Sequence, residues 1–314
     1  MGVLLEGEAG EAEIAGFLVA LKMKGETAAE LAGFARAMRD RMIVVDAGPD
    51  VIDTCGTGGD GSGTFNISTA AAIVMAGAGA HVAKHGNRSI SSNSGSADVL
   101  EALGVRVIDV PPEKSARSIR EIGIGFLFAP AMHPAMKHAQ TVRKALKTRT
   151  VFNLLGPLVN PARARAQLIG TPAPEVARLM ADALAELGTE RSFIVHGHDG
   201  LDEITTTTAT DVYEVTAEGV QKHLWKPSDF GVQTAQLTSL KGGDSRCNAQ
   251  IILGILRGDS GPCRDIVLVN AAAGLLAAGL ATDLRAGMGL AAKSIDSGAA
   301  IAKLELLKRN FPST

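Results

Sequence analysis

Residues 51–79 decide the fold, and they read VIDTCGTGGDGSGTFNISTAAAIVMAGAG. A short apolar run at 51–53 predicts a strand, and the small, apolar residues at 70–79 predict a helix. Five of the eight residues at 56–63 are glycine, which lets backbone N–H groups approach an anion closely. A glycine loop that leads into a helix predicts a phosphate or pyrophosphate site, because the positive end of the helix faces the loop.

The polar residues after this loop refine the prediction. Ser68 and Thr69 occupy the positions expected of a helix N-cap, and Thr64 and Asn66 precede them. The loop lacks the Lys-Ser/Thr pair of a P-loop NTPase, and its last glycine does not have the spacing of a dinucleotide-binding fingerprint. Taken alone, the segment fits a flexible surface loop equally well.

Two further polar segments favour the phosphate site. Residues 84–96, KHGNRSISSNSGS, also lie between a predicted strand and a predicted helix, and they combine two cations with many hydroxyl and amide groups. The adjacent acids Asp202 and Glu203 follow a third apolar run, and such carboxylates bind Mg²⁺ together with water or phosphate oxygens. An acidic doublet alone is usually plain surface, but beside two phosphate loops it predicts a metal site.

Strands and helices alternate along most of the chain, which predicts an α/β fold. We expect a small N-terminal helical domain plus a large α/β domain whose central, mainly parallel sheet is flanked by helices. The helical domain covers 1–47, joined by an amphipathic helical insert at about 130–149, and the α/β domain covers 48–314. The predicted strands are 51–53, 81–83, 105–110, 166–170, 192–196, 204–207 and 212–215. Beyond two N-terminal helices within 10–42, the predicted helices are 70–79, 98–103, 175–187, 248–256 and 266–280.

The composition excludes several classes of protein. The chain has 314 residues, 46% of them hydrophobic, and a formal net charge of −2, which excludes intrinsic disorder and disfavours a general nucleic-acid binder. The most apolar stretches, 68–83 and 266–281, are shorter than a membrane-spanning helix. Three widely spaced cysteines form no disulfide or metal pattern, and no secretory signal opens the chain, so we expect a cytoplasmic protein.

Six segments occur in an order that identifies a family. They are 56–60 (GTGGD), 64–69 (TFNIST), 84–89 (KHGNRS), 94–98 (SGSAD), 149–158 (RTVFNLLGPL) and 196–203 (HGHDGLDE). Together they resemble the anthranilate phosphoribosyltransferases of tryptophan biosynthesis, and the likeness runs from about Glu8 to the C-terminus.

The resemblance implies a Mg²⁺-dependent transfer of the phosphoribosyl group of 5-phosphoribosyl 1-pyrophosphate to the amine of anthranilate, with release of pyrophosphate. It also implies the fold of class II nucleoside phosphorylases, a site in the cleft between the domains, and a homodimer through the helical domain. No nucleic-acid or membrane partner is expected. The chain is expected to begin inside the family's first helices, and Asn93 and Lys147 stand where Lys and Gly are usual.

The resemblance also assigns the site residue by residue. The expected phosphoribosyl pyrophosphate-binding residues are Gly56, Gly59, Asp60, Thr64, Asn66, Ile67, Ser68, Thr69, Lys84, His85, Gly86, Asn87, Arg88, Ser89, Ser91, Ser92 and Ser96. The expected anthranilate-binding residues are Gly56, His85, Asn87, His133, Arg143 and Gly156. The expected Mg²⁺ ligands are Ser68, Asp202 and Glu203. Catalysis is assigned to charge stabilisation by Lys84, Asp202 and Glu203, with no covalent nucleophile.

Three other functions compete with this interpretation. A pyrimidine nucleoside phosphorylase of the same fold would need a different base-binding signature from the one at 149–158. A non-enzymatic nucleic-acid binder conflicts with the net charge and with the presence of Asp202 and Glu203. A regulator that senses phosphoribosyl pyrophosphate would bind it without turnover.

Overall fold

The computed structural model describes residues 1–89 and 93–312, and these form a seven-stranded sheet with helices on both faces. The strands are β1 (Val51–Gly56), β2 (His81–Gly86), β3 (Ile124–Phe128), β4 (Ala166–Gly170), β5 (Arg191–Gly197), β6 (Thr210–Thr216) and β7 (Gly219–Trp225). Their order is β3-β2-β1-β4-β5-β6-β7. The first five in this order are parallel, and β6 and β7 pair antiparallel.

The helices follow the same alternating order along the chain. They are α1 (Gly2–Glu6), α2 (Glu11–Lys24), α3 (Ala28–Arg39), α4 (Ile67–Gly77), α5 (Ser96–Ala102), α6 (Pro112–Ile122), α7 (Ala129–Met132), α8 (Lys137–Leu146), α9 (Phe152–Leu155), α10 (Pro174–Leu187), α11 (Pro227–Phe230), α12 (Ser245–Leu256), α13 (Pro262–Ala277), α14 (Leu284–Asp296) and α15 (Ala299–Asn310). Short 3₁₀ helices lie at Pro134–Met136, Gly156–Val159 and Leu237–Leu240.

The burial of the strands follows from their place in the sheet. All five residues of β4 are buried, and six of the seven residues of β5 are buried, because helices cover both faces of the parallel part. The antiparallel edge strand β7 is partly exposed along its length. A parallel sheet flanked by helices, preceded by N-terminal helices, confirms the predicted fold class.

Two apolar layers hold the sheet. On one face α4 packs against α13, and nine of the eleven residues of α4 are buried there. On the other face α10 packs against α3, which joins the N-terminal helices to the α/β layer. The helix α8 contacts both α1 and α2, so the segment predicted as an insert at 130–149 lies beside the N-terminal helices.

The strand predicted at 105–110 is wrong. Its side chains Val105 and Val107 are buried in the main core, but among residues 1–89 and 93–312 its backbone makes a single isolated bridge, between Val105 and Pro312. β3 pairs with β2 at this side of the sheet instead. The β-branched residues therefore reflect packing against the core, which the sequence pattern does not distinguish from strand pairing.

The strand predicted at 204–207 is wrong for a different reason. The N–H of Ile204 donates to Asn270 Oδ1 at 3.0 Å, and the Ile204 carbonyl accepts from Asn270 Nδ2 at 2.9 Å. A fully buried asparagine of α13 thus replaces a neighbouring strand as the backbone's partner. Within the described ranges, no helix has the length and apolar character needed to cross a membrane.

Candidate active site

The predicted polar segments meet at the carboxyl ends of the parallel strands. The glycine loop follows β1, Lys84 and its neighbours end β2, and the acidic doublet lies in the connection from β5 to β6. Because parallel strands end at the same edge of a sheet, three segments far apart in sequence come together there.

The glycine loop packs directly against Asp202. The N–H of Gly58 donates to Asp202 Oδ2 at 3.0 Å. A Cβ added at Gly56 would collide with the Asp202 carboxylate, and one added at Gly170 would collide with the Asp202 backbone. Glycine is therefore required on β1 and β4 for the acidic doublet to enter the site.

The two acids of the doublet carry strongly perturbed pKa values. Burial and the nearby charge of Asp60 raise the pKa of Asp202 to about 7. Burial and the charge of Asp202 raise the pKa of Glu203 well above its usual range, while the positive charge of Lys84 opposes that shift. Because these shifts depend on nearby charges, Asp60, Lys84, Asp202 and Glu203 lie close together at this edge of the sheet.

Lys84 places a cation next to these acids. Its ammonium donates to the Thr54 carbonyl at 2.6 Å and to Ser68 Oγ at 3.2 Å, and its side chain is buried. The N–H of Ser68 in turn donates to Glu203 Oε1 at 3.1 Å. Burial lowers the pKa of Lys84, and the charge of Asp53 counteracts that effect.

The start of α4 differs from the prediction. The helix begins at Ile67 with Asn66 as the N-cap, so Ser68 and Thr69 lie in its first turn and not at its cap. The Asn66 amide is occupied by protein groups, since it donates to the Ser94 carbonyl at 3.1 Å and accepts from Asn248 at 3.0 Å. Asn66 therefore ties the two polar loops together.

Three further residues of the glycine loop and of α4 differ in what surrounds their side chains. The Ile67 side chain is in the core, so only its backbone faces a ligand. Thr64 hydroxyl lies 3.2 Å from the Ser62 hydroxyl. Among the described residues the buried Thr69 hydroxyl has no hydrogen-bond partner.

The segment after β2 is organised around the first turn of α5. The Arg88 guanidinium forms ion pairs with Asp98 at 2.6 Å and with Glu101 at 2.7 Å, so its charge is already paired. The N–H of Ser89 donates to Asp98 Oδ2, and the Ser96 hydroxyl donates to the Asn87 carbonyl. A Cβ at Gly86 would collide with Ser96 Oγ, as the two loop ends touch. The predicted residues Ser91 and Ser92 lie outside the described residues.

The predicted anthranilate side contains a pair of buried histidines. His85 Nδ1 lies 3.2 Å from the Gly156 carbonyl, and His85 Nε2 lies 3.2 Å from His133 Nε2. A neutral His85 satisfies the Gly156 carbonyl by donating from Nδ1–H, which leaves its Nε2 as an acceptor towards His133. Burial lowers the pKa of His85 to about 3 and that of His133 to about 4, so both rings are neutral at pH 7.

Arg143 on α8 supplies a cation that lies over an aromatic ring. Its guanidinium lies over the Phe152 ring, 5.0 Å from the ring centroid, and burial lowers its pKa. In the described parts of the chain no carboxylate pairs with it. A stacked guanidinium with free donors is suited to bind an aromatic carboxylate.

One buried residue that was not predicted from the sequence supports the site from the core side. Asp53 is fully buried, and its carboxylate accepts from the His85 N–H at 3.2 Å and from Asn160 Nδ2 at 2.7 Å. Burial raises the pKa of Asp53, while the charge of Lys84 lowers it. The signal in the sequence was an aspartate inside the apolar run of β1.

The donor set fits a hard divalent cation. Asp60, Asp202 and Glu203 lie near one another, and burial together with their mutual repulsion raises the pKa values of Asp202 and Glu203. No three His, Cys, Asp or Glu side chains of residues 1–89 and 93–312 are arranged to hold an ion by themselves. Mg²⁺ commonly binds through one or two carboxylates plus substrate phosphates, so an incomplete protein cage is what such a site requires.

Comparisons with known proteins agree with this geometry. Residues 48–301 match the glycosyl transferase family a/b domain, and residues 1–42 match the glycosyl transferase family helical bundle domain. The chain is similar to the anthranilate phosphoribosyltransferase of Solibacter usitatus, with 60% identity over 98% of this chain and 91% of that protein. The enzyme of the same name from Moorella thermoacetica is 51% identical over the same shares.

Solved structures give the same result. The crystal structure of anthranilate phosphoribosyltransferase from Thermus thermophilus superposes with a TM-score of 0.93 and 44% identity, over 98% of this chain and 92% of that one. The Saccharomyces cerevisiae enzyme in complex with PRPP and Mg gives a TM-score of 0.85 and 31% identity, over 96% of this chain and 85% of that one. These matches support the transferase interpretation and not the phosphorylase or nucleic-acid alternatives. The chain belongs to the anthranilate phosphoribosyltransferase family.

Proposed function

We propose that this chain transfers the phosphoribosyl group of phosphoribosyl pyrophosphate to the amine of anthranilate, giving N-(5-phosphoribosyl)anthranilate and pyrophosphate. The observation that carries the proposal is the meeting of the glycine loop, Lys84 and the Asp202–Glu203 doublet at one edge of the sheet. A polyanion with a bound divalent cation matches this mixture of N–H donors, an ammonium and carboxylates.

The pyrophosphate is bound by the backbone of the glycine loop and by Lys84. Glycines at positive φ expose their N–H groups, and the N-terminus of α4 adds its dipole. Charge that develops on the departing pyrophosphate is stabilised by the Lys84 ammonium, which is held in place by Thr54 and Ser68. The other residues proposed to contact this substrate are Gly56, Gly59, Asp60, Thr64, Asn66, Ile67, Thr69, Gly86, Ser89 and Ser96, together with Ser91 and Ser92.

Asp202, Glu203 and the Ser68 hydroxyl are the proposed Mg²⁺ ligands. Bound Mg²⁺ would supply charge neutralisation for the pyrophosphate. The family member from Saccharomyces cerevisiae in complex with PRPP and Mg supports this cofactor. The Gly58 N–H keeps the Asp202 carboxylate oriented towards the loop, and the Ser68 N–H does the same for Glu203.

Anthranilate is proposed to bind between Arg143 and the histidine pair. The guanidinium takes the carboxylate, and Asn87, His85, His133 and Gly156 line its path to the ribosyl carbon. Neutral imidazoles place no charge beside the attacking amine. The amine attacks C1 directly and loses its proton afterwards, so the protein contributes by positioning and needs no covalent nucleophile.

The test is a fluorescence assay of anthranilate consumption. Purified protein with phosphoribosyl pyrophosphate and MgCl₂ should remove anthranilate fluorescence, and omission of any one component should stop the loss. Binding of phosphoribosyl pyrophosphate in a calorimeter without turnover would contradict an enzyme. Conversion of thymidine and phosphate, without anthranilate consumption, would favour the phosphorylase.

The helical part of the chain is proposed to form a homodimer. We assign residues 1–47 and 130–149 to a small helical domain and 48–314 to the α/β domain. Exposed apolar side chains gather on α1 and α2, among them Val3, Phe17 and Met23, which is 84% exposed. A groove of about 270 Å³ lies beside Val3 and Phe17. Exposed apolar surface of this kind is typical of an interface, and a second copy would cover it.

The proposed location is the cytoplasm, and the proposed partners are small molecules. Cys55, Cys247 and Cys263 are free thiols, which suits a reducing compartment. Salt-sensitive retention on duplex DNA would contradict the second part of this proposal.

A further inference from the structure

Arg149 lies between α8 and α9 and is not among the predicted site residues. Its guanidinium reaches across to the glycine loop, where Nη2–H donates to the Thr57 carbonyl at 3.1 Å and Nη1–H donates to the Gly58 carbonyl. One side chain therefore holds two successive carbonyl groups of the proposed pyrophosphate loop.

The Thr57–Gly58 peptide unit is fixed at both ends. Its carbonyl accepts from Arg149, and its N–H, which belongs to Gly58, donates to Asp202 Oδ2 at 3.0 Å. The carbonyl and the N–H of a trans peptide point in opposite directions. Arg149 and Asp202 thus lie on opposite sides of this unit and hold it between them.

In the next peptide unit, between Gly58 and Gly59, Arg149 holds the carbonyl. The Gly58 carbonyl accepts from Arg149, so the N–H of Gly59 points away from Arg149, towards the side occupied by Asp202. Within residues 1–89 and 93–312 no acceptor is recorded for the Gly59 N–H. The Asp202 carboxylate occupies the Gly58 N–H, so the Gly59 N–H is the donor of this turn that faces an incoming anion.

The glycines are necessary for this arrangement. Gly58 has φ +67° and Gly59 has φ +80°, both in the left-handed region. A Cβ at Gly59 would collide with the Arg149 guanidinium. Residue 59 must therefore lack a side chain for the arginine to lie flat against the loop.

We propose that Arg149 is a positioning residue that holds the Gly58 N–H on Asp202 and turns the Gly59 N–H towards the pyrophosphate. The inference rests on the proposed function and deepens it, since it identifies what shapes the loop before the substrate binds. Arg149 acts through the loop backbone and needs no contact with the substrate. The same chain segment carries Arg143 of the proposed anthranilate side.

The experiment compares R149A and R149K with the unmodified protein. We expect R149A to raise the KM for phosphoribosyl pyrophosphate and the Kd for magnesium pyrophosphate, measured by titration calorimetry, by about tenfold. The KM for anthranilate should change far less. A lysine ammonium cannot bond two carbonyls in a fork, so R149K should be impaired nearly as much as R149A. Added guanidinium at millimolar concentration should restore part of the activity of R149A.

The controls separate positioning from other effects. R117A removes an exposed arginine of α6 and should leave both KM values unchanged. Urea unfolding reports whether R149A is folded. An R149K variant with normal KM values would overturn the proposal, because charge alone would then suffice. Equal rises in both KM values would also overturn it. Absence of turnover in the unmodified protein would instead refute the proposed function.

Discussion

The carboxylate of Asp202 accepts a 3.0 Å hydrogen bond from the N–H of Gly58, which lies 144 positions earlier in the chain. This contact joins the acidic doublet to the glycine loop before any ligand is bound. The proposed metal-binding and pyrophosphate-binding parts of the site are therefore joined by a direct hydrogen bond.

Replacing both acids of the doublet should nearly abolish turnover. The double variant Asp202→Asn with Glu203→Gln keeps the shape and removes two negative charges, and we expect a loss in kcat on the order of a hundredfold. The rate should also lose its dependence on MgCl₂, measured over a titration. An unchanged magnesium response would rule out the assigned ligands.

Removing Arg143 should affect one substrate selectively. Arg143→Ala deletes the guanidinium proposed to bind the anthranilate carboxylate, and the KM for anthranilate should rise by about tenfold or more. The KM for phosphoribosyl pyrophosphate should rise much less. Arg143→Lys retains charge without the planar fork and should fall between the two. Equal effects on both substrates would count against this role.

The histidine pair should make an acid-sensitive contribution to the stability of the fold. The folded-state pKa values of about 3 for His85 and about 4 for His133 lie below the unfolded value near 6.5, so the unfolded state binds more protons between these limits. The stability that the two rings contribute is therefore complete above about pH 6.5 and falls as the pH is lowered towards 4, whereas the raised pKa values of Asp202 and Glu203 act in the opposite direction.

Urea unfolding at pH 7 and pH 5 measures this effect. Each histidine should contribute about 2 kcal/mol to the loss of stability between the two values. His133→Asn will destabilise at both, but its loss from pH 7 to pH 5 should be smaller by that amount. An identical loss in the variant would show that the ring of His133 titrates normally.

A methyl group at residue 170 should displace the acidic doublet. In Gly170→Ala the new Cβ would collide with the Asp202 backbone, so Mg²⁺ affinity and turnover should fall together. Gly33→Ala on α3 is the control, because nothing lies within 4 Å of its added Cβ. That change should stabilise the helix by up to about 1 kcal/mol without altering kinetics. Normal magnesium affinity in Gly170→Ala would contradict the assigned position of Asp202.

Charges on the exposed apolar surface should break the proposed dimer. Phe17→Glu with Met23→Glu places two carboxylates in the surface of α2, and light scattering after gel filtration should then give the monomer mass of about 32 kDa. Leu224→Glu, an exposed apolar position on β7, is the control and should leave the mass unchanged. A monomer in the unmodified protein would refute the dimer outright.

The sequence predicted local features well and long-range ones less well. Strands at 51–53, 166–170 and 192–196 were recognisable because runs of buried residues show their burial directly. β3 and β7 were not identified. The valines at 105–110 pack into the core like those of a strand, and Ile204 is paired by Asn270, and neither fact has a local signature. Partners distant in sequence decided both cases.

The site shows the same division. The glycine content of the loop and the acidic doublet predicted the pyrophosphate and metal regions. The family resemblance assigned the individual site residues. The pairing of Arg88 with Asp98 and Glu101 could not be foreseen, since the residues suggest only a free cation near phosphate. The support given by Asp53 and Asn160 was likewise invisible, because it depends on the packing of β1 against a loop 107 residues away.

The strand order determines where on the sheet a crevice for a ligand can form. From β1 the chain builds β2 and β3 on one side, and it then returns to build β4 and β5 on the other. The connections leaving β1 and β4 therefore diverge and open a crevice at the topological switch point, where Gly56 and Gly170 are register partners. Neither Gly56 nor Gly170 carries a side chain, and Asp202 lies against both residues. The strand connectivity opens this crevice, and the absence of a Cβ at Gly56 and at Gly170 leaves room in it for Asp202.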